Sequence, residues 1–303
     1  MMAGIRIHAP SKLPELIERY TPHQLLIAMP SASRGRVREI VESVADYPLR
    51  IRLVPSIREL IVPTDGPRLR DLQIEDLLGR DPVAPQQELL GRCVTGRVVM
   101  VSGGGGSIGS ELCRQIVSLR PRKLVILEVS EAALYLVDQA IRSLPDARLL
   151  EVVSVLGSVR DAKLCRSVFR EHGVETIYHA AAYKHVPIVE HNPAEGILTN
   201  AFGTLTLSTA AVECGVQDFV LISTDKAVRP TNIMGTSKRL AELILQALSL
   251  TQTGTRFSMV RFGNVLGSSG SVVPLFQKQI LAGGPITLTH LEITRYFKTI
   301  PEA

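Results

Sequence analysis

Hydrophobic and polar positions follow two different patterns on either side of residue 95. From Arg97 onward, short apolar runs alternate with stretches of helical periodicity. Strands that are separated by helices form a parallel sheet with helices on both faces, and their connections are right-handed. The pattern therefore predicts a doubly wound α/β domain over 96–303. Six apolar runs are its predicted strands: Val98–Val101, Leu124–Leu127, Leu150–Val155, Thr176–His179, Phe219–Ile222 and Phe257–Arg261.

The first 62 residues predict a smaller, partial α/β domain with two helices and two strands. The segment 63–95 is rich in proline, glycine and charge, which predicts a linker or lid; it includes Ile74–Val83. Because 5–62 contains no glycine loop, we expect this domain to serve dimerisation or tethering rather than nucleotide binding. Its predicted elements are Leu13–Tyr20 and Arg34–Ala45 as helices, and His23–Met29, a buried strand, and Leu49–Val54 as strands.

Composition narrows the class of protein. Hydrophobic residues make up 45% of the 303 residues and charged residues 21%, which is ordinary for a globular chain and excludes a disordered, collagen-like or coiled-coil protein. The net charge of +5 is spread along the sequence and suits an anionic substrate. Tryptophan is absent and aromatic residues are only 4%, so base-stacking platforms and a nucleic-acid partner are not expected.

Neither a metal site nor a membrane segment is expected. The four cysteines all lie more than three residues apart, so no zinc-type pair exists, and thiols of this kind are typical of a reducing compartment. No run approaches the roughly 18 apolar residues that cross a bilayer. We therefore expect a cytoplasmic protein.

A glycine-rich turn follows the first predicted strand of the larger domain. Gly103, Gly106 and Gly109 have GxxGxxG spacing, and a helix is predicted directly after them. Glycines at such a turn let a pyrophosphate approach the amides of the helix amino terminus. The predicted cofactor contacts are Gly103, Gly106, Ser107, Ile108 and Gly109.

The next two strand ends extend this dinucleotide hypothesis. Glu128 follows the second strand, where a carboxylate accepts hydrogen bonds from the adenosine ribose and repels a 2′-phosphate. NAD is therefore predicted over NADP, although Arg120 and Arg122 nearby keep NADP open. After the fourth strand, Ala180 and Ala181 are small enough for a flat cofactor to approach. His179 is expected to be a packed, hydrogen-bonded histidine.

Polar residues converge after the fifth strand, which ends in Thr224, Asp225 and Lys226. The carboxyl ends of strands are where α/β sheets bind ligands. Met234 and Lys238 follow at i and i+4, so they share one face of the next predicted helix.

These motifs resemble the extended short-chain dehydrogenase/reductase superfamily, in which a YxxxK helix follows the GxxGxxG loop. Three longer segments, HAAAYKHVPIVE, STDKAVRPTNIMGTSKRLAE and RFGNVLGSSGSVVPLF, are similar to UDP-N-acetylglucosamine 4,6-dehydratases of the CapD-like polysaccharide-biosynthesis group. The resemblance covers roughly 5–303. Long, membrane-anchored members of this group carry Met at the usual Tyr position, as this chain does at Met234.

The resemblance implies a lyase: a retaining UDP-N-acetylglucosamine 4,6-dehydratase that recycles NAD in each turnover. It assigns Asp225 as the acid that protonates the departing C6 hydroxyl and Lys226 as the base that removes the C5 proton. Lys238 is expected to bind the nicotinamide ribose. Because Met234 cannot ionise, Thr224 or an ordered water must relay the proton of the C4 hydroxyl.

Further positions follow from the same resemblance. It places Lys184, Asn264 and Arg295 at the sugar nucleotide, and Asn200 is grouped with them although it matches a structural asparagine near the cofactor. Two positions depart from the family pattern. Ser158 replaces an Asp that usually meets the adenine amine, and Lys298 stands where Met is usual.

Two other functions stay open at this point. A nucleotide-sugar 4-epimerase or reductase shares the hydride chemistry but needs no C5 base, so Lys226 separates it from a dehydratase. An inactive NAD-binding scaffold is the non-enzymatic alternative. Family members extend beyond both ends of this chain, so we expect an incomplete C-terminal sugar-nucleotide subdomain. We also expect a homo-oligomer, at the cytoplasmic face of the membrane if the longer protein is anchored.

Overall fold

The computed structural model describes residues 7–54, 69–73, 76, 78, 86–268, 272–288, 290, 292 and 296–302. The chain divides into two compact units, Met1–Val83 and Ala84–Ala303. The division falls inside the segment that the sequence predicts as a linker. Each unit is described by itself below.

The N-terminal unit is a small βαβ arrangement. Helix α1 spans Leu13–Tyr20, strand β1 Gln24–Ile27, helix α2 Arg34–Ser43 and strand β2 Arg50–Leu53. β1 and β2 pair in parallel, as the α2 crossover requires. The side chain of Ser33 caps α2 by accepting a hydrogen bond from the Arg36 amide. Ile27, Val37 and Leu53 form the core of the unit.

Two predictions for this unit need correction. The strand predicted as buried is only half buried, because Leu26 is 47% exposed and Met29 44%. Part of the predicted linker is a strand, β3 (Arg70–Asp71), which pairs antiparallel with β2. The Arg50 guanidinium holds it there with a two-pronged hydrogen bond to the Asp71 carboxylate at 3.0 and 2.7 Å. This pairing joins residues far apart in sequence, so no local pattern shows it.

The second unit is built on a six-stranded parallel sheet in the order β6-β5-β4-β7-β8-β9, which confirms the predicted doubly wound fold. The chain reverses its winding direction between β4 and β7, and a crevice forms there at the carboxyl ends of the strands. The strands are β4 (Val98–Ser102), β5 (Lys123–Glu128), β6 (Glu151–Leu156), β7 (Thr176–His179), β8 (Asp218–Thr224) and β9 (Arg256–Phe262).

Helices cover both faces of this sheet. They are α3 (Gln87–Gly91), α4 (Ser107–Ser118), α5 (Glu131–Arg142), α6 (Ala162–His172), α7 (Val186–His191), α8 (Pro193–Ile197), a π-helical turn (Leu198–Phe202), α9 (Gly203–Glu213), α10 (Ile233–Thr251) and α11 (Val272–Leu281). A further parallel pair joins β10 (Asn264–Val265) to β11 (Phe297–Lys298).

The side chains of the central strand β4 explain the two-sided core. All five of its residues are buried. Val98 and Met100 belong to one hydrophobic cluster, which includes Phe219, whereas Val99 and Val101 belong to the other. Successive side chains of a strand point to opposite faces, so each face of the sheet needs its own layer of helices.

Within the described residues, no helix has the length and apolar character to cross a membrane.

Candidate active site

The glycine loop connects β4 to α4, and two of its glycines are required by close packing. Gly103 has φ +71°, and a Cβ there would lie 2.5 Å from the Ala181 backbone nitrogen. A Cβ at Gly109 would overlap the Gly103 carbonyl oxygen. The loop therefore lies directly against the segment that follows β7, as the pairing of their strands allows.

Gly106 marks where a ligand could approach. It is the N-cap residue of α4 and, as a glycine, it has no side chain that could cap the helix. A Cβ at Gly106 would meet one described atom, the Gly103 carbonyl oxygen at 3.4 Å. The amino terminus of α4 carries the positive end of the helix dipole, and the small Gly106 beside it suits the approach of a phosphate group.

Glu128 ends β5 and is buried beside this loop. One carboxylate oxygen accepts a hydrogen bond from the Gly105 amide at 3.0 Å. The other accepts from the amides of Val129 and Ser130 at 2.9 and 3.0 Å. The negative charge of Glu128 is therefore fixed at the edge of the glycine loop.

His179 is a packed, neutral histidine, as predicted. Its ring nitrogens lie 2.7 Å from Ser102 Oγ and 2.9 Å from Thr204 Oγ1, and the side chain is fully buried. Burial, together with the nearby charge of Lys238, lowers the pKa of His179 to about 3. His179 thus holds β4, β7 and α9 together without carrying charge.

Asn200 sits in the π-helical turn and clamps two segments of the site. Its amide oxygen accepts from the Tyr183 amide at 2.8 Å, while its nitrogen donates to the Tyr183 carbonyl and to Ser237 Oγ, both at 2.9 Å. The residue is 1% exposed. This differs from the predicted grouping with substrate contacts, because both amide hydrogens are used inside the protein. Asn200 instead fixes the segment after β7 against α10.

Thr224, Asp225 and Lys226 form one hydrogen-bonded group at the end of β8. Thr224 Oγ1 donates to Asp225 Oδ1 at 3.0 Å, and the Lys226 ammonium lies 3.2 Å from the same oxygen. Lys226 also donates to Asn264 Oδ1 at 3.3 Å. The structure thus brings Asn264, which the sequence predicted separately, to the group at the end of β8. The carboxylate and the ammonium remain 46% and 30% exposed, so both are open to a substrate.

Helix α10 begins at Ile233, where Asn232 caps it by accepting from the Gly235 amide at 2.8 Å, and it includes Met234 and Lys238. Met234 is 3% exposed and packs as a core residue. Lys238 is 5% exposed and donates to the Ile222 carbonyl at 2.7 Å. Burial lowers the pKa of Lys238 to about 8, against the opposing effect of Glu242.

Four other positions that the sequence singled out provide less information about the site. Lys184 is exposed, but its surroundings lower the pKa of its amine by desolvation. Arg295 lies outside the described residues. Ser158 Oγ accepts from the Arg160 amide, which occupies it within its own turn. The Lys298 ammonium lies over the Phe262 ring, 5.3 Å from its centre.

Two residues that support this site had no predicted role: Ser223, whose polar character at the strand end the sequence does show, and Glu242. Ser223 precedes Thr224 and donates to the buried carboxylate of Glu242 at 2.7 Å. Glu242 lies one helical turn after Lys238, and that spacing is the only sequence signal that could have suggested it.

A comparison with known protein families matches residues 99–303 to a family described as polysaccharide biosynthesis protein. The chain belongs to this family. Together with its sheet order and glycine loop, this membership confirms the predicted extended short-chain dehydrogenase/reductase of the polysaccharide-biosynthesis group.

Individual relatives in the family have related names. The capsular polysaccharide biosynthesis protein CapD of Staphylococcus aureus is 42% identical over 292 residues, which are 96% of this chain and 49% of that protein. An inverting UDP-N-acetylglucosamine 4,6-dehydratase of Campylobacter jejuni is 33% identical over 211 residues, 68% of this chain and 61% of that protein. UDP-glucose 4-epimerases also occur among the relatives at 33% identity.

A solved structure is similar as well. The dTDP-glucose 4,6-dehydratase DesIV of Streptomyces venezuelae, with NAD bound, has a TM-score of 0.58 and 27% identity. The similarity covers 67% of this chain and 68% of that one. The chain spans about half the length of CapD.

Proposed function

We propose that this protein catalyses the NAD-dependent 4,6-dehydration of UDP-N-acetylglucosamine, giving the 4-keto-6-deoxy sugar for a surface polysaccharide. The observation that carries the proposal is the Asp225–Lys226 pair, 3.2 Å apart at the carboxyl end of β8. A dehydratase needs an acid for the C6 hydroxyl and a base for the C5 proton side by side. The pair offers both groups, open to solvent, in the crevice where the fold binds ligands.

The residues around the glycine loop fit a dinucleotide. A Cβ at Gly106 would meet one described atom, at 3.4 Å, and the glycine start of α4 suits the close approach of a pyrophosphate. Lys238 is buried on α10, the helix that follows β8, and suits the nicotinamide ribose as a hydrogen-bond donor. When bound, NAD supplies reversible uptake of a hydride. Glu128 favours NAD over NADP, because its fixed carboxylate would repel a 2′-phosphate.

The hydrogen bond between Thr224 and Asp225 gives the proton of the C4 hydroxyl a route. Thr224 Oγ1 accepts that proton as it passes its own to Asp225 Oδ1, 3.0 Å away. Asp225 is then a neutral acid, and it delivers the same proton to the departing C6 hydroxyl to make water. In this scheme no ionisable group is required at Met234.

Lys226 removes the proton from C5 and later returns one to it. Its ammonium first releases a proton to solvent, to which it is 30% exposed, and the neutral amine then takes the proton from C5. After elimination, Lys226 returns a proton to C5 and regains one from solvent. The protons balance, because one molecule of water leaves with the C4 hydroxyl proton and C5 ends with the number of hydrogens it began with.

A nucleotide-sugar 4-epimerase is the second candidate, favoured by the epimerases among the relatives. An epimerase needs the hydride chemistry and the C4 proton route but no base at C5. Lys226, beside Asp225 and held by Asn264, has no task in that reaction.

Mass spectrometry of UDP-N-acetylglucosamine after incubation with the protein and NAD separates these functions. A dehydratase yields a product lighter by one water; an epimerase yields an isomer of unchanged mass, which NMR of the same sample distinguishes from the substrate; an inactive scaffold leaves the substrate unchanged by both measurements. The exposed Lys163 on α6 offers a matched control. Lys226→Ala should abolish the lighter product, whereas Lys163→Ala should not.

A further inference from the structure

Glu242 is a carboxylate with no exposure to solvent, in the third turn of α10. It accepts hydrogen bonds from Ser223 Oγ at 2.7 Å, from Arg239 at 2.9 Å and from Arg261 Nε at 2.7 Å, and a second Arg261 nitrogen also contacts it. Burial raises the pKa of Glu242, but the hydrogen bonds from Arg261, Ser223 and Arg239 outweigh burial and hold it at about 2. Glu242 is thus a buried anion that is fully paired.

The Ser223 contact and a hydrogen bond of Lys238 form a ladder between α10 and β8. Lys238 Nζ donates to the carbonyl of Ile222, and Ser223 Oγ donates to Glu242, both at 2.7 Å. Consecutive residues of the strand are therefore bonded to consecutive turns of the helix. Thr224 comes directly after this ladder, so the ladder sets the position at which the strand ends.

The Arg261 contact reaches the other side of the site. Arg261 lies in β9, and Asn264 follows it by three residues. Asn264 Oδ1 accepts the hydrogen bond from Lys226 Nζ at 3.3 Å. One carboxylate thus links the helix that carries Lys238, the strand that carries Thr224, and the strand that leads to Asn264.

We propose that Glu242 is a positioning residue, which sets Lys238 and the Asp225–Lys226 pair in register through Ser223 and Arg261. This inference rests on the proposed dehydratase function. Misplacement of reacting groups by about 1 Å can cost about 10²-fold in rate, so a tether of this kind acts on turnover rather than on substrate affinity.

Ser223→Ala is the cleanest test, because it removes one hydrogen bond and leaves Glu242 paired with both arginines. We expect kcat to fall about tenfold, the effect of one well-placed hydrogen bond, with KM for UDP-N-acetylglucosamine unchanged. Ser223→Thr keeps the hydroxyl and should restore turnover. Ser249→Ala is the matched control, since Ser249 lies on α10 with Glu242 but its hydroxyl donates to the Leu245 carbonyl of the same helix.

A double-mutant cycle separates positioning from general stability. If Ser223 acts through the catalytic pair, Ser223→Ala should cause no further loss in a Lys226→Ala background. The proposal would be overturned if the two substitutions reduced kcat by independent factors that multiply. It would also be overturned if Ser223→Ala lowered the melting temperature but left kcat at the wild-type value.

Glu242→Gln supplies a second measurement that needs no turnover. The affinity for NAD, measured by calorimetry, should weaken because Lys238 is displaced. Unchanged affinity in folded protein would count against the proposal. Failure of the wild type to remove water would instead reject the proposed function.

Discussion

Thr224 Oγ1 donates a hydrogen bond to Asp225 Oδ1 at 3.0 Å, at the end of β8. The helix position that carries Tyr in most of the superfamily is occupied by Met234, which is buried and cannot ionise. In the proposed dehydratase mechanism, the Thr224–Asp225 hydrogen bond is therefore the route by which the C4 hydroxyl proton reaches an ionisable group.

Removing the Thr224 hydroxyl should slow C4 oxidation. Thr224→Val keeps the shape of the side chain but breaks the proton route, and loss of a general acid–base step costs about 10²-fold or more. Thr224→Ser keeps the hydroxyl and should retain the rate. Stopped-flow absorbance of reduced nicotinamide with UDP-N-acetylglucosamine measures this step. An unchanged rate in Thr224→Val would mean that the proton leaves by another path.

Two glycines of the loop should respond differently to alanine. Gly103→Ala places a Cβ 2.5 Å from the Ala181 nitrogen at a positive φ, so it should lower the melting temperature. Gly106→Ala meets one described protein atom, at 3.4 Å, so the fold should survive while the added methyl blocks the pyrophosphate. Thermal unfolding and NAD calorimetry distinguish the two. Normal NAD affinity in Gly106→Ala would place the cofactor elsewhere.

Glu128 should control the choice between NAD and NADP. Glu128→Gln keeps an acceptor for the Gly105 amide but removes the charge, so affinity for NADP should rise relative to NAD. Glu131→Gln, on the exposed first turn of α5, is the control. The melting temperature with each cofactor at equal concentration reports the preference. A wild type that NADP stabilises more than NAD would contradict this role.

Acid should destabilise the fold through His179 and Glu242. Their pKa values fall from 6.5 to about 3 and from 4.5 to about 2, so the unfolded chain binds protons that the folded chain does not. The stability that His179 and Glu242 contribute is therefore fully present above pH 6.5 and is lost as the pH falls from 6.5 toward 2. The Glu242 shift corresponds to about 3 kcal/mol.

The measurement is the free energy of unfolding in urea at a series of pH values. Glu242→Gln should be less stable at neutral pH and should show a flatter decline below pH 4.5 than wild type, while Glu131→Gln should follow wild type. If the free energy of unfolding of Glu242→Gln fell with pH as steeply as that of wild type below pH 4.5, Glu242 would not contribute to the loss of stability in acid.

The fold was predictable because its strands are local apolar runs. All six predicted strands of the sheet occur, each within two residues of its predicted ends. Met234 and Lys238 were placed on the following helix by their i, i+4 spacing, and both lie on α10.

Long-range pairing accounts for what the sequence did not show in the site. Thr224, Asp225 and Lys226 are adjacent in sequence, so their grouping was visible. The contact from Arg261 to Glu242 joins a strand to a helix 19 residues away, and the clamp of Asn200 on Tyr183 joins the π-helical turn to the segment after β7. No hydrophobic period encodes such contacts.

The central claim is that Lys226 exchanges the C5 proton during loss of water from UDP-N-acetylglucosamine. The most direct measurement is mass spectrometry and NMR of the product formed with NAD in deuterium oxide. Wild type should give a product that has lost one water and carries deuterium at C5, and Lys226→Ala should give neither, with a loss of about 10²–10⁴-fold in elimination. A product of unchanged mass, or a Lys226→Ala variant that removes water at the wild-type rate, would contradict the account.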